Sequence, residues 1–313
     1  MKILIGYDGS ESGDAALENL RRSGLPRNAE ALVVSVAEVW LPPLNEGEII
    51  DFANDSYLQA GMKKRYETNS KVVEAAVLTA KQAGERLRIS FPDWKIQTEG
   101  ADGSPTWEIL ARAKTFGGDL IVVGSHGRSA LGRFILGSIS QKVLTEAECS
   151  VRIGRGNVVT DDSPSRLIVG FDGSPGAEAA IEALVERAFG KDCEVRLITA
   201  TNPLILTDGG LMFTPVSDSV WEGEEKHRQL VERLAEDALA KLKKAGFKAT
   251  FQLHTGNPKQ ILLDEAEEWN ADAIFIGANA FGSRLDRLLL GSVSAAIAAR
   301  AHCTVEVVRR KKI

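Results

Sequence analysis

Short apolar runs alternate with longer mixed stretches along the whole chain. In the first half, residues 2–7, 30–37, 94–99, 119–123 and 149–153 are rich in Val and Ile and end in turn residues, which predicts strands. Between them, residues 12–22, about 58–90, 104–117 and 138–147 read as helices. In the second half, strands are predicted near 166–171, 193–200, 247–254, 272–276 and 303–308. Helices are predicted there near 175–188, 221–245, 258–269 and 292–301. Ser174-Pro175 reads as an N-cap followed by Pro at the first helical position. Strands that are apolar throughout and alternate with helices predict a parallel sheet covered on both faces.

The pattern also repeats. Ile3-Leu4-Ile5-Gly6-Tyr7-Asp8-Gly9-Ser10 returns as Leu167-Ile168-Val169-Gly170-Phe171-Asp172-Gly173-Ser174, an offset of 172 − 8 = 164. Leu136-Gly137-Ser138-Ile139-Ser140 returns as Leu290-Gly291-Ser292-Val293-Ser294, an offset of 291 − 137 = 154. A period this long exceeds that of solenoid repeats, so each copy is a domain. Gly, Asp, Ser and Pro between Gly154 and Ser165 read as a linker, which predicts domains over 1–156 and 165–313. Each is expected to be an open, five-stranded, doubly wound α/β domain. The last strand of each copy, Val151-Arg152-Ile153 and Val305-Glu306-Val307-Val308, is a candidate sheet edge that must be covered or paired.

Composition narrows the partners. The 38 Lys and Arg against 43 Asp and Glu give −5, which does not suggest a nucleic-acid groove. No apolar run approaches the roughly 18 residues of a membrane helix. Cys149, Cys193 and Cys303 lie far apart and show no metal or disulfide spacing, which favours a reducing cytoplasm. Arg309-Arg310-Lys311-Lys312 reads as a short, fraying basic tail. The charged run from Glu222 to Lys244 reads as a solvated helix face.

The chemistry points to glycines. Gly124-Ser125-His126-Gly127 follows a strand, and Gly137-Ser138 opens a helix after nine intervening residues. Glycines admit a close backbone approach, and the free N–H groups of a helix start favour an anion. Ser138 is expected to cap that helix and offer its hydroxyl to the same phosphate. Asp8 ends the first strand and reads equally as an Asx-turn residue or a ligand contact. His126 is read as a loop histidine touching phosphate rather than an acid/base group. Neither a P-loop nor a dinucleotide fingerprint is present.

These motifs resemble the universal stress proteins in a tandem two-domain form, over nearly the whole chain. Nucleotide-binding members carry G-x2-G-x9-G-[ST] after the fourth strand, which Gly124, Gly127, Gly137 and Ser138 match. The resemblance implies that Gly6, Tyr7 and Asp8 flank the nucleoside and that Val36 offers backbone bonds to adenine. Gly124 would pass the ribose, and Ser125, His126, Gly127, Gly137, Ser138, Ile139 and Ser140 would surround the phosphates of ATP with Mg2+. In the second copy, Asp172, Ala200, Gly277, Gly291, Ser292 and Ser294 correspond, but Ala280 stands where the second glycine belongs and the gap is one residue longer. The resemblance implies pairing of the two domains through their last strands, and a homodimer of the tandem chain is a separate expectation beyond it. The resemblance also implies a stress regulator with an unidentified protein partner; slow or no ATP hydrolysis is expected because no Ser/His/Asp or Cys/His arrangement accompanies His126. The alternative is a nucleotide-independent dimerisation or interaction module of the same fold.

Overall fold

The computed structural model describes residues 1–39, 56–127, 136–156, 163–190, 192–201, 218–278 and 290–310, with the side chains of 56–64 and 218–227 left aside. The first copy supplies strands β1 (Lys2–Gly6), β2 (Glu30–Ala37), β3 (Lys95–Asp102), β4 (Leu120–Gly124) and β5 (Ser150–Gly154). Its helices are α1 (Glu11–Glu18), α2 (Ser56–Ser90), α3 (Pro105–Phe116) and α4 (Ser138–Glu146). The second copy supplies β6 (Arg166–Gly170), β7 (Glu194–Thr201), β8 (Lys248–Thr255), β9 (Ala273–Gly277) and β10 (Thr304–Val308). Its helices are α5 (Pro175–Val185), α6 (Asp218–Lys244), α7 (Pro258–Glu268) and α8 (Ser292–Arg300). Ser174 caps α5 by accepting from Ala177 N at 3.2 Å, with Pro175 first in the helix. The helix expected over 12–22 stops at Glu18 and tightens into a 3-10 turn over Asn19–Arg22. Such i→i+3 bonds commonly close a helix end.

One ten-stranded sheet runs through both copies in the order β3-β2-β1-β4-β5-β10-β9-β6-β7-β8. Within each copy the neighbours are parallel, and β5 and β10 pair antiparallel, with Arg152 opposite Glu306. The two candidate edges therefore close each other, which removes two open strand edges.

Side chains alternate across a strand, so each face has its own core. On the face covered by α3, α4, α7 and α8, one apolar cluster crosses the seam through Val151, Ile153, Val305 and Val307. The opposite face is divided. Ile3, Ile5, Leu17 and Leu87 pack under α1 and α2, while Leu167, Val169, Ile181 and Leu242 pack under α5 and α6. Between these clusters stand Arg152, Glu306 and Arg187, with side chains 3%, 1% and 5% exposed. Arg152 Nη1 lies 3.0 Å from Glu306 Oε2, and Arg187 bonds the other carboxylate oxygen. Arg187 also donates to Ser23 O at 2.9 Å and sits over the Phe275 ring. Gly24 (φ +62°) admits Phe189, whose ring lies 2.6 Å from where a Cβ would stand.

The expected basic tail is corrected at its first residue. Arg309 is buried, and Nη2 donates to Leu144 O at 2.6 Å. The antiparallel seam carries the end of β10 under α4, so the residue following the strand enters the protein rather than solvent. Lys311 and Lys312 lie outside the described residues.

Candidate functional site

β1 and β4 are neighbours where the strand order reverses, and their carboxyl ends share one rim. Such a switch point is where open α/β sheets hold ligands. Asp8 follows β1. Its Oδ1 accepts from Ser10 N at 3.0 Å, and Gly9 takes φ +75° in the resulting turn. Ser10 Oγ accepts from Gly13 N at 3.1 Å and caps α1. The other carboxylate oxygen faces the glycine loop: a Cβ on Gly127 would stand 3.2 Å from Asp8 Oδ2. The Asx turn thus uses one oxygen and leaves the second toward the rim.

The loop after β4 is tied at several points. A Cβ on Gly124 would stand 2.6 Å from Ser12 Oγ and 2.9 Å from Gly13 N, so this glycine lets the start of α1 rest on β4. Ser12 Oγ bonds His126 O and accepts from His126 N at 3.3 Å. Ser125 Oγ and His126 Nδ1 are 2.8 Å apart. Gly137 N donates to Ser125 O at 2.8 Å, and Ser140 Oγ donates to Gly124 O at 2.7 Å. Ser12 escaped the sequence reading because the repeat does not carry it: Gly176 holds the equivalent position.

One expectation is corrected here. Gly137, not Ser138, is the N-cap of α4, and no side chain caps it. Ser138 is already the first helical residue, one place too late for its hydroxyl to reach back onto the second or third N–H. It is exposed at the rim. Among the described residues, no capping side chain takes the N–H groups at the start of α4.

Other candidates are placed differently around this rim. Gly6 packs under α3, where a Cβ would stand 2.8 Å from Ile109 Cδ1. Tyr7 keeps its backbone at the end of β1, but its ring enters the core and its hydroxyl meets Asp14 Oδ1 at 2.5 Å. Burial, with the Asp14 carboxylate, pushes the Tyr7 phenol up to about 12. Val36 lies half-buried near the end of β2, paired with Ala101. Ile139 packs against the apolar core, and the Ser140 hydroxyl is spent on Gly124.

The second copy repeats the backbone frame. Asp172 Oδ1 accepts from Ser174 N at 3.0 Å, Ser294 Oγ donates to Gly277 O at 2.6 Å, and Gly291 N donates to Ala278 O at 2.7 Å. Gly291 is the N-cap of α8 without a side-chain cap, and exposed Ser292 begins the helix. Its side chains differ: Ala278 replaces Ser125, and Ala200 pairs with His254 where Val36 pairs with Ala101. Ala280 and Gly282 lie outside the described residues, as do most of the loops 40–60, 125–136 and 201–220.

The sequence model of the universal stress protein family matches residues 1–155 and again 164–309. The chain belongs to the universal stress protein family. As a universal stress protein with two copies of the domain, it is similar to tandem-size relatives over 98% of its length. One, from Mycolicibacterium smegmatis, is 27% identical over 310 residues and is covered over 96% of its own length. Another, from Mycobacterium tuberculosis, is 25% identical over 323 residues, covering 97% of that protein. Among solved structures, a universal stress protein from Archaeoglobus fulgidus matches with a TM-score of 0.59 and 22% identity, covering 99% of this chain and 98% of that one. The doubly wound, mostly parallel fold is shared with it. Among the described residues no helix is long and apolar enough to cross a membrane, and no group of three or more His, Cys, Asp or Glu stands where it would hold a metal ion.

Proposed function

We propose that the first copy binds ATP and that this universal stress protein acts as a nucleotide-responsive regulator in the cytoplasm, with slow or no hydrolysis. The observation that carries the reading is the start of α4: an N-cap glycine without a side-chain cap, packed against His126, whose neighbour Gly127 faces one oxygen of Asp8. Unmet N–H groups at a helix start suit phosphate oxygens. In this reading Gly127, Gly137 and Ser138 hold the phosphates, Val36 meets adenine through its backbone, and Ser125 and His126 line the loop. Asp8 Oδ2 suits Mg2+ as a hard oxygen donor, with phosphate oxygens supplying the rest. His126 is read as positioning the loop, with its Nδ1 engaged by Ser125 Oγ. Pairing through β5 and β10 occupies both last strands within one chain, so a homodimer would use another surface.

Equilibrium titration with Mg·ATP tests the reading, and no binding at millimolar nucleotide overturns it. Gly127→Val is expected to weaken binding at least about tenfold while leaving the fold intact, because among the described residues a Cβ there meets only Asp8 Oδ2 within 4 Å. The second reading, a nucleotide-independent interaction module, draws on the altered second copy and predicts no change in this variant's partner binding.

A further inference from the structure

Each cradle helix ends under an arginine from the other copy. Arg309 follows β10, and its Nη2 donates to Leu144 O in the last turn of α4 at 2.6 Å. Arg155 follows β5 and does the same in reverse: Nη1 donates to Ala301 O at 2.6 Å and to Ala299 O at 3.2 Å, at the end of α8. The backbone N–H of each is also held across the seam, Arg309 by Ser150 Oγ at 3.1 Å and Arg155 by Thr304 Oγ1 at 3.3 Å. Both residues are only 7% exposed. Among the described residues, Nε and Nη1 of Arg309, and Nε and Nη2 of Arg155, are buried without a hydrogen-bond partner. Burying unmet donors is costly, so an arginine serving only as a surface anchor would keep its head in water. Both guanidinium groups are instead held inside, against the carbonyl end of a helix.

The two ends of α4 are complementary, whereas α8 also carries Arg300 in its own last turn. α4 has no side-chain cap at its start and no basic residue in its own last turn. A nine-residue helix spans about 13 Å, so its ends act on one another as parts of a single rigid piece. A cation at the carboxyl end offsets the negative pole, holds the last turn, and keeps the first-turn N–H groups aligned at the other end.

We infer that Arg309 is a positioning residue for the first copy's phosphate cradle and Arg155 for the second copy's, each supplied by the other copy. The inference rests on the nucleotide reading above. It makes each copy part of the other's site, without either arginine touching the ligand.

The test uses the full chain with Arg309→Met, Arg309→Lys and Arg155→Met. Mg·ATP binding is read copy by copy, from the protection it gives to amide exchange over Gly137–Ile139 and Gly291–Val293. Amide exchange within α4 and α8 is also followed without nucleotide. Arg309→Met is expected to weaken binding at the first copy about two- to fivefold and to speed exchange in α4. Arg309→Lys, which keeps the charge, is expected to restore most of both. Arg155→Met is expected to leave the first copy's affinity unchanged and to speed exchange in α8. Equal losses at the first copy from Arg309→Met and Arg155→Met would indicate general loosening of the seam and overturn the inference. So would unchanged affinity in Arg309→Met. If the wild-type chain binds no Mg·ATP, the nucleotide reading falls, and the exchange data decide the reciprocal caps alone: unchanged exchange in both helices overturns them.

Discussion

The two copies of this universal stress protein share a frame and differ in what hangs on it. In both, a serine one turn into the cradle helix donates to the last residue of the preceding strand: Ser140 to Gly124 and Ser294 to Gly277. In both, an aspartate after the first strand closes an Asx turn. The first copy then adds Ser12, Ser125 and His126, whose bonds tie the loop to α1, while the second has Gly176 and Ala278 at the first two of these places. Backbone geometry survives such exchanges because main-chain groups supply most of it. The side-chain ties between the loop and α1 do not survive them.

The seam gives the sharpest way to break the equivalence. Arg152 and Glu306 occupy matching positions in the two copies but carry opposite charge. Glu306→Leu leaves Arg152 and Arg187 buried without their anion and is expected to cost about 3–5 kcal/mol in denaturant unfolding. Arg152→Leu is expected to cost clearly less, because Glu306 keeps Arg187. Equal costs would show that the charges are not shared as described.

A smaller contrast lies at the strand ends. A Cβ on Gly277 would stand 2.6 Å from Gly176 O and 2.7 Å from Gly176 Cα, both backbone atoms. On Gly124 the closest atom is a side-chain oxygen. Gly277→Ala is therefore expected to lose about 1–3 kcal/mol and Gly124→Ala less, by thermal unfolding monitored for both variants in parallel. A reversed order would mean that α5 shifts more easily than α1.

The smallest effect separates the copies by pH. Tyr7 of the first copy answers to Phe171 of the second. Burial raises the Tyr7 phenol from 10.0 to about 12 in the folded state, with Asp14 adding to it. Its contribution to stability is therefore complete below pH 10 and declines as pH rises toward 12. By pH 11 the loss is about 1 kcal/mol, and Tyr7→Phe is expected to abolish it. Unfolding curves at pH 9 and pH 11 decide this; an equal alkaline loss in the variant would rule out Tyr7 as the source.

The strand and helix pattern was legible because apolar runs, Gly turns and Ser174-Pro175 act locally. The exposed-edge problem of the last strands was legible in the sequence, while their pairing with each other was an expectation from the family resemblance; in the structure each strand covers the other. The N-cap of α4 was misplaced by one residue, since serine is the commoner cap and only the backbone angles single out Gly137. Arg309 and Ser12 were missed for a different reason: their partners, Leu144 and His126, are far away in sequence, and the repeat does not carry Ser12. A lone arginine in β5 and a lone glutamate in β10, each within an apolar strand, were the one visible sign of the buried triad.

The antiparallel junction of β5 with β10 sets a direction as well as a contact. It turns the strands of one copy head to tail against those of the other, so the two carboxyl-end rims open on opposite sides of the molecule. A molecule docked at one rim would leave the other unobstructed, because the chain reverses direction between them.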